Sequence, residues 1–413
     1  MACLSPALPT PADGAAAICR PNRGPLDRVS LTENGTDVRT GTADLPLHSG
    51  HVPRWLFERM TVLAREMVLA VVAEEGPRGV LRRLADPVWF QAFGCVLGFD
   101  WHSSGVTTTV CGALKEGLRV VPEAGLVVAG GKGAASRRTP QEIEAACWRH
   151  GLEAGPLVRA SRLAAKVDSA AVQDGFQVYH HVLVFTTEGS WAVVQQGMNE
   201  TTGMARRYHW HEPARFDREP HAAVVGPPGR EVLNLVAGEG ESNRRLSVAL
   251  TRETPGTVVH ELRRMRELTM PRRHRVLLSD LDPDRVGRVL LRAHAAQPAD
   301  FTGLLAVSGV GARALRALSL VAELVYGEPA SIRDPVSFSF AHGGKDGTPF
   351  PVDRSTYDRT IDSLRRAVAG ARLGRNDRVE ALRRLAGLPA PAPTPGPPRS
   401  GIGAGRAVAP APC

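Results

Sequence analysis

Lysine is almost missing from this 413-residue chain: its 51 Lys plus Arg include lysine only at Lys115, Lys132, Lys166 and Lys345. Where arginine is the default cation, a retained lysine marks a place that calls for a compact, flexible amine. The six cysteines (Cys3, Cys19, Cys95, Cys111, Cys147, Cys413) form no C-x-x-C pair. They read as reduced thiols of a cytosolic protein, three of them in its end segments. Neither a seven-residue nor a three-residue repeat is visible, which excludes a coiled coil and a collagen-like chain. The most apolar helical stretch, Met60 to Ala73, is interrupted by Arg65 and Glu66 and falls short of the roughly 18 residues of a membrane span. No charged-then-apolar leader stands ahead of the fold, so the expected location is the cytoplasm.

What is present is the composition of a globular protein, 43% hydrophobic and 23% charged, long enough for two or three domains. A formal net charge of +9 favours polyanionic partners such as nucleic acid. Residues 1–41 and 389–413 are Pro, Ala and Gly-rich without periodicity, the second carrying six prolines between Pro389 and Pro398; both read as disordered tails. Between them the pattern predicts an α+β fold: a mixed domain over 42–250 containing an antiparallel hairpin, then a mostly helical domain over 251–388. Leu56, Met60, Leu63, Met67 and Val71 form a helical stripe. Asp86-Pro87 caps a second helix, and Thr139-Pro140-Gln141-Glu142 supplies a capping-box start for a helix that Gly151 ends. Phe176–Phe185 and Trp191–Met198 read as the two strands of a hairpin turning at Glu188-Gly189. Helices are expected from about Pro255 to Tyr326, and from Ser355 to Leu385 with a break near Gly374.

The run from Leu304 to Leu318 places Gly309-Val310-Gly311-Ala312 between two apolar segments and resembles the helix-hairpin-helix motif. Its glycines let the backbone approach a phosphate, and the amides at Val310, Gly311 and Ala312 open a helix whose dipole favours an anion. Arg313 and Arg316 add charge on the first turns, and Arg244 to Arg292 holds twelve arginines against six acids. Contacts of this kind read the backbone and leave base sequence unread.

Chemistry-bearing residues crowd into the first domain. Asp100 and His102 stand two apart before a run of hydroxyls, a spacing suited to a divalent cation or to base and acid. Lys166, Asp168 and Asp174 offer two carboxylates and an amine within nine residues, the kit of a metal-dependent phosphodiesterase. His180 and His181 point to opposite faces of the strand, within a residue or two of Gln195 and Gln196 across the hairpin. Gly130-Gly131-Lys132-Gly133 lacks the Walker spacing, so nucleotide hydrolysis is not expected, yet Lys132 could meet a phosphate. Arg206, Arg207 and their aromatic neighbours suit base stacking beside a backbone, or else an edge strand.

The strings LPLHSG at 45–50, GFDWHSSG at 98–105, GGKG at 130–133, Lys166-Val167-Asp168, QDG at 173–175, Tyr179-His180-His181, VVQQGMN at 193–199 and ARRYHW at 205–210 together resemble the domain-of-unknown-function family numbered 763. The likeness covers about residues 42–375. It implies a DNA-processing protein with an N-terminal nuclease domain followed by a helix-hairpin-helix domain, and it supplies no catalytic map.

These readings converge on a nucleoid-associated, Mg- or Mn-dependent deoxyribonuclease acting on single-stranded, duplex or bubble DNA, with no membrane partner and with a homodimer left open. The expected metal ligands are Asp100, His102, Asp168 and Asp174; Lys166 and His180 complete the expected catalytic set, and Lys132, Arg206 and Arg207 join the hairpin in binding DNA. A nucleic-acid binder without catalysis is the rival, and Thr107-Thr108-Thr109 faintly resembles a threonine-nucleophile hydrolase.

Overall fold

The computed structural model describes residues 45–47, 52–99, 103–229, 232–267, 281–337 and 354–386, all within the compact unit Arg39–Cys413. Both end segments, Asp100, His102 and Lys345 lie outside the described residues. The fold is α+β. An antiparallel five-stranded sheet is built from β1 (Leu126–Lys132), β3 (Gln177–Thr186), β4 (Trp191–Asn199), β5 (Met204–His211) and β6 (Ala223–Val225), in that spatial order. Two short strands, β2 (Val172–Gln173) and β7 (Leu233–Asn234), pair separately.

Helices cover both faces of the sheet, so its strands are apolar on both sides. On one face Val182, Val184, Ala192 and Val194 pack with α1 (Arg54–Ala85), α2 (Pro87–Leu97), α3 (Gly105–Leu118) and, from the end of the described chain, α12 (Arg354–Gly370) and α13 (Arg375–Ala386). On the other, Leu183, Phe185, Val193, Tyr208 and Trp210 pack with α5 (Thr139–His150), α6 (Ala154–Lys166), α7 (Glu241–Arg252), α8 (Pro255–Glu267), α9 (Pro283–Ala296), α10 (Phe301–Ala306) and α11 (Ala312–Leu324).

The stripe ending at Val71 is the first part of α1, which kinks at Gly76 (φ 72°) and Pro77 before continuing to Ala85. The Asp86 carboxylate accepts from the Val88 and Trp89 amides at 2.9 and 3.2 Å, as its cap position predicts. Gly151 ends α5 in the left-handed region. The expected threonine cap is not formed. A short helical turn, α4 (Ala134–Arg137), runs directly into α5, so Thr139 is already helical and donates to the Ser136 carbonyl. Glu142 turns outward instead, accepting from Lys115 Nζ at 2.6 Å and the Gly130 amide at 2.8 Å.

That bond explains the GGKG segment. It is the end of β1, with Gly130, Gly131 and Lys132 opposite Val182, His181 and His180. Gly130 has φ +105°, and a Cβ there would sit 2.2 Å from the His181 carbonyl oxygen and 2.7 Å from Thr139 Oγ1. Gly130→Ala is therefore expected to cost at least about 2 kcal/mol, seen as a lower urea midpoint at unchanged m-value.

The hairpin register puts His180 opposite Gln196 and His181 opposite Gln195. The two imidazoles go to opposite faces and meet different fates. Neither ring nitrogen of buried His180 has a hydrogen-bond partner among the described residues. Burial, with the charges of His181 and Lys132, pulls its pKa down to about 3; burial pulls His181 down to about 4, against the Gln195 bond. The unfolded chain thus binds protons that the native state refuses between pH 6.5 and these values. Stability present above pH 6.5 is lost as the pH falls, by up to about 1.4 kcal/mol per pH unit for each histidine. Urea midpoints measured from pH 7 to pH 4.5 should decline accordingly, and His180→Leu should flatten the decline and raise the midpoint at pH 5.

Candidate functional site

Between α6 and the turn joining α10 to α11 lies a cleft of about 840 Å³. The residues that shape it come from sequence rules of helix spacing. Arg159, Arg162 and Lys166 recur at i, i+3 and i+7 along α6 and so share one face, while Leu157, Ala160, Leu163 and Ala164 bury the other. Arg137, from α4, adds a fourth cation to the lining. No carboxylate lines the cleft among the described residues. Arg137, Arg159 and Arg162 are exposed and have no ion-pair partner among those residues.

The opposite wall is Leu305 to Gly309. Gly309 takes φ +84°, and the Arg292 guanidinium lies 3.0 Å from where a Cβ would sit. The amide of Val310 is spent on the Val307 carbonyl, and Gly311 starts α11 without a side-chain cap. The turn is pinned from beneath: Lys166 Nζ donates to the Val310 carbonyl at 2.5 Å, and Gln173 Nε2 to that of Ala312 at 2.9 Å. Arg316 Nε in turn donates to Gln173 Oε1 at 2.8 Å. Arg313 is exposed at the start of the helix. Burial lowers the pKa of Lys166 from its ordinary value.

Beneath the cleft is a buried polar network on the α6 face of the sheet. Asp168 sits in a π-helical turn, Val167–Ala171, that continues α6. Its Oδ2 accepts from Gln195 Nε2 at 2.5 Å and Trp210 Nε1 at 2.9 Å, and its Oδ1 pairs with His221 Nε2 at 2.5 Å. Burial raises the Asp168 pKa, with His221 and Trp210 pulling the other way. Gln195 reaches on to His181, and His181 to Ser161, each across 2.8 Å.

Asp174, in the turn between β2 and β3, meets the same face of β5 at Arg206 and Tyr208. Its Oδ2 accepts from Arg206 at 2.8 Å and from the Tyr208 hydroxyl at 2.6 Å, and its Oδ1 from the Phe176 amide at 3.0 Å. Burial raises its pKa, opposed by the Arg206 charge. Arg206 also chelates Asp334 and donates to the Pro227 carbonyl.

The expected site residues therefore divide. Lys166 and Gly309 come together at the cleft, where Lys166 holds the Val310 carbonyl, while Val310, Gly311, Ala312, Arg313, Arg316 and Asp168 are not among its lining residues. Asp174 and Arg206 form a separate buried ion pair, and Arg206 presents no guanidinium to solvent. Arg207 is likewise buried, on the other face: it stacks on Phe90 at 4.6 Å and donates to Gln91 and His209 at 2.9 Å. Burial drags its pKa down to about 9. The basic-aromatic run is thus a central strand whose guanidiniums are spent inside the protein. Lys132 is exposed, 5.7 Å over the Tyr179 ring. Thr107 lies within α3 and donates to Gln196, so no free α-amine adjoins it. Asp100 and His102 fall outside the described residues, and no group of three His, Cys, Asp or Glu able to hold a metal is found among the described ones.

Sequence reasoning missed Arg137, Arg159, Arg162, Ser161 and His221. The cationic i, i+3, i+7 spacing on α6 was a readable signal for two of them; nothing local marks Ser161 or His221.

Among the described residues no helix is long and apolar enough to cross a membrane. No curated protein and no solved structure matches the chain. The family model described as "Protein of unknown function (DUF763)" matches residues 41–352. Since that takes in well over half of the chain and contains every string that carried the resemblance, this protein belongs to the DUF763 family.

Proposed function

We propose that this protein binds nucleic acid, holding a sugar-phosphate backbone in the cleft between α6 and the Val307–Gly311 turn, and that hydrolysis of DNA phosphodiesters is its activity. The observation that carries the reading is the lining itself: Arg137, Arg159, Arg162 and Lys166 converge with no carboxylate among the described lining residues. Arg137, Arg159 and Arg162, which have no ion-pair partner among the described residues, repel one another in the free protein, and a string of phosphates relieves that cost. The turn adds an uncapped helix start and a glycine that lets a backbone approach. Lys132, Arg313 and Arg316 extend the positive surface around it. A protein of this kind would work with the nucleoid in the cytoplasm, on single-stranded, duplex or bubble DNA.

Mg or Mn is the cofactor class expected for such a nuclease. The described carboxylates do not fit it: both oxygens of Asp168 and both of Asp174 already accept from protein donors. The same engagement favours, as a second reading, a nucleic-acid binder that does not cut.

Arg159→Glu with Arg162→Glu is expected to weaken binding of a labelled DNA oligonucleotide at least about ten-fold at low salt. It should also flatten the slope of log K against log salt by about two. Fluorescence anisotropy across a salt series measures both, and unchanged affinity and slope would remove the cleft as the binding site.

A further inference from the structure

Ser161 and His181 both line the cleft, with Ser161 Oγ 2.8 Å from His181 Nε2. The bonds behind them fix the direction of that contact. Gln195 Nε2 donates to the Asp168 carboxylate and to the Ala164 carbonyl oxygen. With its amide group so oriented, Oε1 faces His181 Nδ1 at 2.8 Å and must accept the ring hydrogen. His181 Nε2 then keeps its lone pair, and the hydroxyl that points at it is the donor. A serine whose proton is already directed at an oriented imidazole is the arrangement of an activated nucleophile. Burial brings the His181 pKa down to about 4, so the ring is an uncharged base at neutral pH.

We infer that Ser161 is a nucleophile and His181 its general base, acting on a phosphodiester of the nucleic acid held in the cleft. This inference rests on the backbone-binding reading above. Ser161 Oγ attacks phosphorus and its proton passes to His181 Nε2. The bond from phosphorus to the leaving sugar oxygen breaks, and that oxygen takes the proton back from Nε2, leaving as an alcohol. A phosphoserine diester remains. Water then attacks phosphorus, giving its proton to His181 Nε2; the bond to Ser161 Oγ breaks, and Oγ recovers the proton. Arg137, Arg162 and Lys166 line the same cleft and offset charge on the phosphoryl oxygens. Gln195 is a positioning residue: with Asp168 behind it, it sets the tautomer.

The test uses the full chain with Mg present. A fluorophosphonate probe should add its mass to the peptide holding Ser161. Ser161→Ala should abolish that adduct and lower the cleavage rate of a labelled DNA oligonucleotide at least about 1000-fold, while anisotropy still shows wild-type binding. The long-range nitrogen–proton spectrum of the wild-type protein should show His181 with hydrogen on Nδ1, as the Gln195 bond requires, and Gln195→Leu should lower kcat for oligonucleotide cleavage while KM stays unchanged, a split that a merely structural role of Gln195 would not give. Cleavage by Ser161→Ala at the wild-type rate, absence of an adduct, or a hydrogen on Nε2 overturns the inference and leaves the binding reading standing. Hydrolysis of p-nitrophenyl acetate without cleavage of DNA or bis(p-nitrophenyl) phosphate overturns the phosphodiester assignment. Loss of oligonucleotide binding by the wild-type protein would instead remove the reading on which it rests.

Discussion

A single buried carboxylate, that of Asp168, ties together the parts of the structure that matter. An ionised group with no exposed surface costs several kcal/mol unless its lone pairs are satisfied. Asp168 meets that requirement by drawing in Gln195 from β4, Trp210 from β5 and His221 from the segment before β6. Each donor is thereby fixed. The indole N–H has no other function in the core, and the Gln195 amide is left with one possible orientation. The π-helical turn at Val167–Ala171 has the same origin: the extra residue per turn swings Asp168 inward at the point where α6 hands the chain to β2.

The arginines fall into two populations. Arg206, Arg207 and Arg244 are buried and surrounded by internal acceptors: two aspartates and a carbonyl for the first, Gln91 and His209 for the second, backbone carbonyls and Glu241 for the third. The planar fork suits this because one guanidinium satisfies several acceptors at once. The lysines occupy the other kind of niche. Lys115 and Lys166, both half-buried, each reach a backbone carbonyl, at Gly130 and Val310. Lys115 also pairs with Glu142, and Lys132 is exposed over the Tyr179 ring, so a single narrow acceptor accounts for Lys166 alone among the described lysines.

Much of the fold was legible because its signals are local. Asp86-Pro87 and Gly151 end and start helices by backbone chemistry alone, and the hairpin register follows from strand length and the Glu188-Gly189 turn. The Thr139 cap failed because an upstream turn of helix, which has no sequence signature of its own, made the threonine helical. The site was less legible for a physical reason. Alternation along a strand says that one histidine faces each side, but only the packed helices decide that His181 finds Ser161 and Gln195 while His180 finds no partner among the described residues. The run at 205–210 misled because charge reads as exposure, whereas β5 is a central strand with both faces covered. The family strings held because many unusual residues in one order constrain more than any single motif does.

The contrast between the buried and exposed arginines is also the argument for where an anion would bind. A chain that provides internal acceptors for Arg206, Arg207 and Arg244 has the means to neutralise cations, and it does so wherever desolvation makes an unpaired charge costly. On α6 it leaves Arg159 and Arg162 without an ion-pair partner among the described residues, with Arg137 lining the same cleft. Solvent alone makes that arrangement tolerable, at the cost of mutual repulsion across a shared cleft. Beyond the facing wall, the carbonyls of Val310 and Ala312 accept from Lys166 and Gln173. The described residues thus separate cations that the fold neutralises from cations that it leaves at the surface, and the division follows burial.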